Sequence, residues 1–299
     1  MRIVFWGTPR FAAHSLNDLV LRGYNVVAAV TSPDKEKGRG LKVSYSEVKQ
    51  TALEHHIPVL QPDLLKDPDF IKELLAYRPD IFVVVAFKIL PKEILSLKVK
   101  SIFNLHGSLL PALRGAAPIQ WALINGYTKT GVTTFEIESK VDTGKVYIRK
   151  DTEILPEDNF GTLHDRLMAL GTEAIRETID MIESAGFTLL PQNDEQATPA
   201  PKITKEICKL DFTKSADELH NLIRGLSPAP GAYFEFNGKQ FKVYTSRVVH
   251  RSDLQAGESE IIKTGWTVGC GKEALQLLEI QPEGKRRMSA EEYIRGLRL

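Results

Sequence analysis

Cysteine is almost missing from this chain of 299 residues: Cys208 and Cys270 are the only two. They fit neither the clustered spacing of a metal site nor a disulfide framework, so two reduced thiols and no metal are expected. No run of 18 apolar residues occurs, which argues against a membrane-spanning helix. The opening residues, MRIVFWGTPRF, show no charged leader and no small-residue cleavage site, so a cytoplasmic protein is expected. Net charge is +1, and no global basic field asks for nucleic acid. The charge is uneven all the same: residues 202–299 hold 16 Lys and Arg against 13 Asp and Glu, and residues 1–201 hold 23 against 25. Repeats and low-complexity tracts are lacking too.

What is present is ordinary globular material, 42% hydrophobic and 26% charged, in a length that suggests two domains. Residues 2–6 (RIVFW) read as a strand, 9–22 as a helix stopped by Gly23, and 25–30 (NVVAAV) as a second strand. Residues 31–45 (TSPDKEKGRGLKVSY) are polar and basic and read as a loop. Helices follow over about 46–55, 67–77 and 91–97, alternating with the strands IPVLQ, 80-DIFVVVAF-87 and 101-SIFNLH-106. The apolar run at 80–87 suits a parallel strand covered on both faces. The order predicts an α/β fold class, a Rossmann-like, mostly parallel sheet with helices on both faces.

After a helix over about 115–125 the pattern changes. GVTTFEIE (131–138) and KVYIRK (145–150) flank a VDTG turn and predict a hairpin closing the sheet, before a long helix over about 159–185. Residues 189–206 hold the prolines of LLPQNDEQATPAPK, carry little that should pack, and read as a linker. A capped helix over 211–226 leads into short β runs, AYFEF, KQFKVYTSRVV, TGWTVGCG and ALQLLEIQP, with NGK as a hairpin turn between the first two. This pattern predicts a small OB-like β-barrel. The expected division is 1–188, linker 189–206, and 207–299.

The polar groups concentrate in 104-NLHGSLLPALRGAAPIQWALING-126. Ligands of open α/β sheets bind beyond the carboxyl ends of the strands, where Asn104 and His106 lie. Alternation puts both on one face. An amide donor beside an imidazole suits a carbonyl that becomes a tetrahedral oxyanion. Asp142, in the VDTG turn, is the third candidate, able to hold a nearby imidazole in its charged form or to pass a proton on. No nucleophile elbow and no placed cysteine is visible, so the attacking group should come from a substrate, for instance an amine. The Ser-Leu-Leu-Pro turn ahead of a glycine and a helix leaves free N–H groups that could cradle an anion or a polar ring. A nicotinamide dehydrogenase is rejected, because GTPRFA is not GxGxxG.

The stretch from Asn104 through VDTG closely resembles the signature of the folate-dependent formyltransferases. That resemblance implies 10-formyltetrahydrofolate as co-substrate, Asn104, His106 and Asp142 as the catalytic set, and Ser108, Leu109, Leu110 and Pro111 as the folate-binding turn. Phe87, Ile89 and Leu90 correspond to a further folate-lining segment. FWGTPRFAAHSL, TSPDKEKGRGLKVSYSEVK and LIRGLSPAPGAYFEFNGKQFKVY extend the resemblance over nearly the whole chain, to members that formylate the amino group of methionyl initiator tRNA. The resemblance implies that Lys35, Lys37, Arg39 and Lys42 contact the acceptor stem and that the C-terminal domain binds tRNA; a monomer is expected. Two departures stand out: VVAFKILP is one residue shorter than the usual VVAYGxILP, and SPAPG replaces a PWPG-like sequence. The alternatives are transfer to an amino sugar nucleotide, and hydrolysis of the formyl donor.

Overall fold

The computed structural model describes residues 1–37, 42–184 and 187–297. Strand β1 (Ile3–Gly7) is buried at every position. Helix α1 (Arg10–Leu21) places Phe11, Ala12, Leu16 and Leu19 at helical steps on a buried face. Gly23, at φ 80°, turns the chain toward β2 (Val26–Val30). Two short strands follow, β3 (Lys35–Lys37) and β4 (Lys42–Ser44), then α2 (Glu47–Glu54), capped by the Ser46 hydroxyl, and β5 (Val59–Leu60). Helix α3 (Pro68–Ala76), capped by Asp67, leads to β6 (Ile81–Val85), α4 (Lys92–Leu95) and β7 (Ser101–His106). Then come α5 (Pro118–Ile124), β8 (Lys129–Glu136), β9 (Val146–Glu153) and α6 (Phe160–Ser184).

The seven strands of the main sheet run β5-β2-β1-β6-β7-β8-β9. The first five are mutually parallel, and β8 runs antiparallel to β7. The direction of winding reverses between β1 and β6, so the switch-point crevice opens at the carboxyl ends of those strands. One row of paired residues crosses the sheet there: Val30, Trp6, Val84, Asn104 and Phe135. Trp6 packs edge-on to Phe70 and Phe87, with ring centroids 6.1 and 5.6 Å away.

The expected loop over 31–45 is corrected. β3 and β4 pair antiparallel, with Lys35 opposite Ser44 and Lys37 opposite Lys42. Strands of three largely polar residues carry no apolar alternation, so periodicity could not reveal them. Within the segment read as a linker, residues 190–199 are mostly exposed but tied down by hydrogen bonds. Leu190 exchanges both backbone hydrogen bonds with Val146, and Ala200 is fully buried.

Compact units divide the chain by contact, not by order. One comprises Met1–Gly115, Gly131–Thr152 and His164–Pro199; the other comprises Ala116–Thr130, Glu153–Leu163 and Ala200–Leu299. In the second unit, α7 (Ala216–Gly225) starts in a full capping box between Ser215 and Glu218. Strands β10 (Ala232–Phe236), β11 (Lys239–Val249), β12 (Ser259–Ile262), β13 (Gly265–Gly269) and β14 (Ala274–Pro282) form an antiparallel path β10-β11-β14-β13-β12. The short β15 (Met288–Ser289) adds to β14 and leads into α8 (Ala290–Arg295). Phe234, Phe241, Trp266, Leu277 and Ile280 form the core with Leu219 and Ile223 of α7, and Ile124 of α5 packs against it. The segments β12, β15 and α8 were not foreseen; each is too short for a periodic signal.

Candidate active site

The site lies within the first unit, where the carboxyl end of β7 faces the turn between β8 and β9. Asn104 is half-buried, and its carboxamide makes no hydrogen bond among the described residues. Two residues on, His106 is 5% exposed. Its Nε2 lies 2.8 Å from the Leu113 carbonyl oxygen. A carbonyl can only accept, so Nε2 carries the proton and donates. The other ring nitrogen, Nδ1, lies 3.7 Å from Oδ2 of Asp142. That oxygen also accepts from the Gly115 amide at 2.8 Å. Asp142 has left-handed backbone, φ 55°, within the turn. Gly144 makes the turn tight: a Cβ there would overlap the carbonyl oxygen of Glu136.

The Ser-Leu-Leu-Pro segment is fixed by its own bonds. Ser108 is buried and its hydroxyl donates to the Ala112 carbonyl at 2.6 Å. Thr133, opposite His106 on β8, donates to the Ser108 carbonyl at 2.7 Å and accepts from the Leu110 amide at 3.0 Å. Arg149 donates to the Leu110 carbonyl at 2.8 Å. Leu110 is buried with Phe135 and Val146, whereas Leu109 and Pro111 are half-buried, and the Leu110–Pro111 bond is cis. In the shortened segment after β6, Ala86 takes a left-handed φ of 47°. Phe87 then turns onto Trp6, Ile89 is 76% exposed, and Leu90 is buried against the same sheet face as Trp6 and Val84.

Of the basic residues singled out, Lys35, Lys37 and Lys42 lie on the β3–β4 ladder, and Arg39 lies outside the described residues. The foot of that hairpin is anchored: Lys49 donates to Asp34 at 2.5 Å and to Gln61 at 2.7 Å, and Gln61 donates back to Asp34 at 2.9 Å. These bonds, led by that from Lys49, hold the Asp34 carboxyl below its ordinary range. In the second unit the KRR run is already engaged, Arg286 with Glu292 and Arg287 with Glu279 and the Tyr244 ring.

Reasoning from residues alone missed Leu113, Arg114, Gly115, Thr133, Gln192 and Thr198. Most act through backbone groups or reach the site from a distant part of the chain, so no local pattern marks them.

Two family models match the chain, formyl transferase over residues 1–179 and formyl transferase, C-terminal domain, over residues 202–298. The methionyl-tRNA formyltransferase of Caldanaerobacter subterraneus subsp. tengcongensis is 46% identical over 299 residues, covering 99% of this chain and 97% of the relative. That of Acetivibrio thermocellus is 43% identical over 300 residues, covering 99% and 96%. Among solved structures, the sugar 3N-formyl transferase WlaRD aligns with a TM-score of 0.70 at 18% identity, over 96% of this chain and 99% of that one. HypX from Aquifex aeolicus in complex with tetrahydrofolic acid aligns with a TM-score of 0.67 at 16% identity, over 98% of this chain and 47% of that one. The two solved structures share the fold, and the family models and the curated relatives, matched from end to end, go further: this chain belongs to the formyl transferase family.

Proposed function

We propose that this protein transfers the formyl group of 10-formyltetrahydrofolate to the free amino group of methionyl initiator tRNA. The observation that carries the reading is similarity above 40% identity, over nearly the full length, to methionyl-tRNA formyltransferases. The polar set at the end of β7 has the chemistry the reaction needs.

The amine nitrogen bonds to the formyl carbon, the bond from that carbon to the folate nitrogen breaks, and tetrahydrofolate leaves with a proton on that nitrogen in place of the one the amine gives up. Asn104, with its amide uncommitted, donates to the formyl oxygen as that oxygen gains charge; such preorganised donors supply much of an enzyme's rate enhancement. His106 is held by Leu113 with Nε2 as donor, so Nδ1 is the atom that takes up or releases a proton. Asp142, 3.7 Å from Nδ1, is placed to exchange that proton with the attacking amine directly or through one water. Once Nδ1 is protonated, His106 becomes a second donor toward the same oxygen. On this reading the protein acts as a monomer. The fit of the folate rests on the backbone of Ser108, Leu109, Leu110 and Pro111, held by Thr133 and Arg149, and on Phe87, Ile89 and Leu90 beside it.

The acceptor stem is read by Lys35, Lys37 and Lys42 of the β3–β4 ladder together with Arg39, and the second unit meets tRNA phosphates through the exposed basic residues of its surface. Such contacts weaken steeply with salt. Both substrates belong to the translating cytoplasm, where the protein is placed by this reading. No helix among the described residues is long and apolar enough to cross a membrane.

The test mixes the protein with 10-formyltetrahydrofolate and charged initiator methionyl-tRNA, beside an amino sugar nucleotide. Mass spectrometry of the released amino acid should show a blocked amine. A formylated sugar nucleotide, or free formate with the methionyl amine untouched, would overturn the reading.

A further inference from the structure

The stretch Leu190–Pro199 lies across the active site as a strap. We infer that Gln192 and Thr198 are positioning residues that fix His106 and Asp142 in working geometry, an inference that rests on the reading of those two as the reacting pair.

Two residues with side chains hold left-handed backbone beside the site, Leu113 at φ 61° and Asp142 at φ 55°. Such conformations cost energy and persist only where the surroundings enforce them. Each of the two flanks one nitrogen of His106: the Leu113 carbonyl accepts from Nε2, and the Asp142 carboxylate faces Nδ1. Each is also gripped by one side chain of the strap. Thr198 Oγ1 accepts from the Leu113 amide at 2.9 Å. Gln192 Nε2 donates to the carbonyls of Asp142 and Gly144 at 3.0 and 2.7 Å, spanning the turn.

Arg114 sets which way the Gln192 amide faces. Its Nε and Nη2 donate to Gln192 Oε1 at 3.2 and 2.8 Å, and Nη2 also pairs with Asp194 at 2.7 Å. An inverted amide would aim its oxygen at two carbonyl oxygens and its nitrogen at a guanidinium. The strap is anchored by its backbone at both ends, at Val146 through Leu190 and at Arg114 through the Thr198 carbonyl. The two side-chain grips are therefore not needed to hold it down. They lead instead along two routes, Thr198 to Leu113 to Nε2, and Gln192 to Asp142 to Nδ1. Losing the first frees the ring to rotate or to move its proton to Nδ1. Losing the second lets the carboxylate swing away from Nδ1.

The test compares Thr198→Val, Gln192→Leu and Thr198→Ser with the unaltered full chain, using 10-formyltetrahydrofolate and methionyl initiator tRNA. Displacing reacting groups by about 1 Å can cost on the order of a hundredfold in rate. Thr198→Val and Gln192→Leu should each lower kcat by about tenfold or more by that argument, leave both KM values nearly unchanged and keep the chain folded. Thr198→Ser, which keeps the hydroxyl, should restore the rate. The ¹⁵N signals of the His106 ring should show the Nε2–H form in the unaltered chain and shift in Thr198→Val but not in Thr198→Ser. Unchanged kcat in both disruptive variants, alongside a large loss in a His106→Asn control, overturns the positioning role while sparing the catalytic reading. Unchanged kcat in His106→Asn overturns that reading, and the positioning role with it. A fall in kcat that only tracks loss of folded protein, or that Thr198→Ser fails to reverse, also overturns the positioning role.

Discussion

At the scale of single residues, the site separates charge from shape. Asp142→Asn keeps the oxygen that accepts from Gly115 and removes the charge facing His106 Nδ1. It should lower kcat by about a hundredfold or more, the ordinary worth of a positioned acid–base group, and leave the denaturation midpoint close to that of the unaltered chain. His106→Ala and Asp142→Ala should abolish transfer while folate binding, followed by fluorescence, largely survives. Gly144→Ala makes the opposite test, of shape without charge. Its methyl group must displace the Glu136 carbonyl, so the turn bearing Asp142 must open. A loss of stability of about 1–3 kcal/mol in urea denaturation is expected, the range of overpacked buried positions, with activity lost as well. Asn104 and His106 could be set on one face from strand alternation alone. The VDTG turn marked Asp142 as a candidate, but that its carboxylate lies beside His106 could not be read from the residues, because closeness between positions so far apart in sequence follows from the sheet order. The Leu113 carbonyl and the Gly115 amide are backbone groups, invisible in any side-chain pattern.

At the scale of elements, caps and pairs outside the site give further tests. The Ser215 hydroxyl accepts from the Glu218 amide while the Glu218 carboxylate accepts from the Ser215 amide. Ser215→Ala should cost about 1 kcal/mol, read as a lower urea midpoint with an unchanged slope. Tyr24, just after α1, donates to Asp180 of α6 at 3.0 Å beside a cleft of about 510 Å³. Burial first, and then the bond to Asp180, push its hydroxyl from 10.0 up to about 12. A group with a raised value stabilises the fold fully below pH 10 and loses that contribution as the pH rises toward 12. Tyr24→Phe should therefore show a smaller fall in stability than the unaltered chain over that interval, measured by denaturation at a series of pH values. The same scale explains which elements could be read in advance. The strands β1 and β6 are unbroken apolar runs, and α7 carries its own start signal. β3, β4, β12 and β15 are two to four residues long with mixed polarity, below the reach of any period. The strap escaped because PQNDEQATPAP has no apolar rhythm; its contacts are polar side chains reaching backbone groups.

At the scale of the whole molecule, packing and chain order part company. Proline and polar composition mark 189–206 as a boundary, whereas contacts assign Ala116–Thr130 and Glu153–Leu163 to the same unit as Ala200–Leu299. Within that unit α5 presses closely on α7: a Cβ at Gly225 would come within 2.7 Å of Ile124 Cγ1, and Trp121 donates to the Pro201 carbonyl at 2.7 Å. A fragment of residues 202–299 lacks both partners. It should unfold at a lower temperature than the matching transition of the full chain in calorimetry, and adding a synthetic peptide of residues 116–130 should raise it. An unchanged transition would show that α5 contributes nothing to this unit. The interleaving also bears on how the molecule is made. Helix α5 emerges from the ribosome before any strand of the antiparallel sheet exists. Ile124 has no partner until α7 has been made, and a message cut short in that interval releases a polypeptide whose early helix has nowhere to dock.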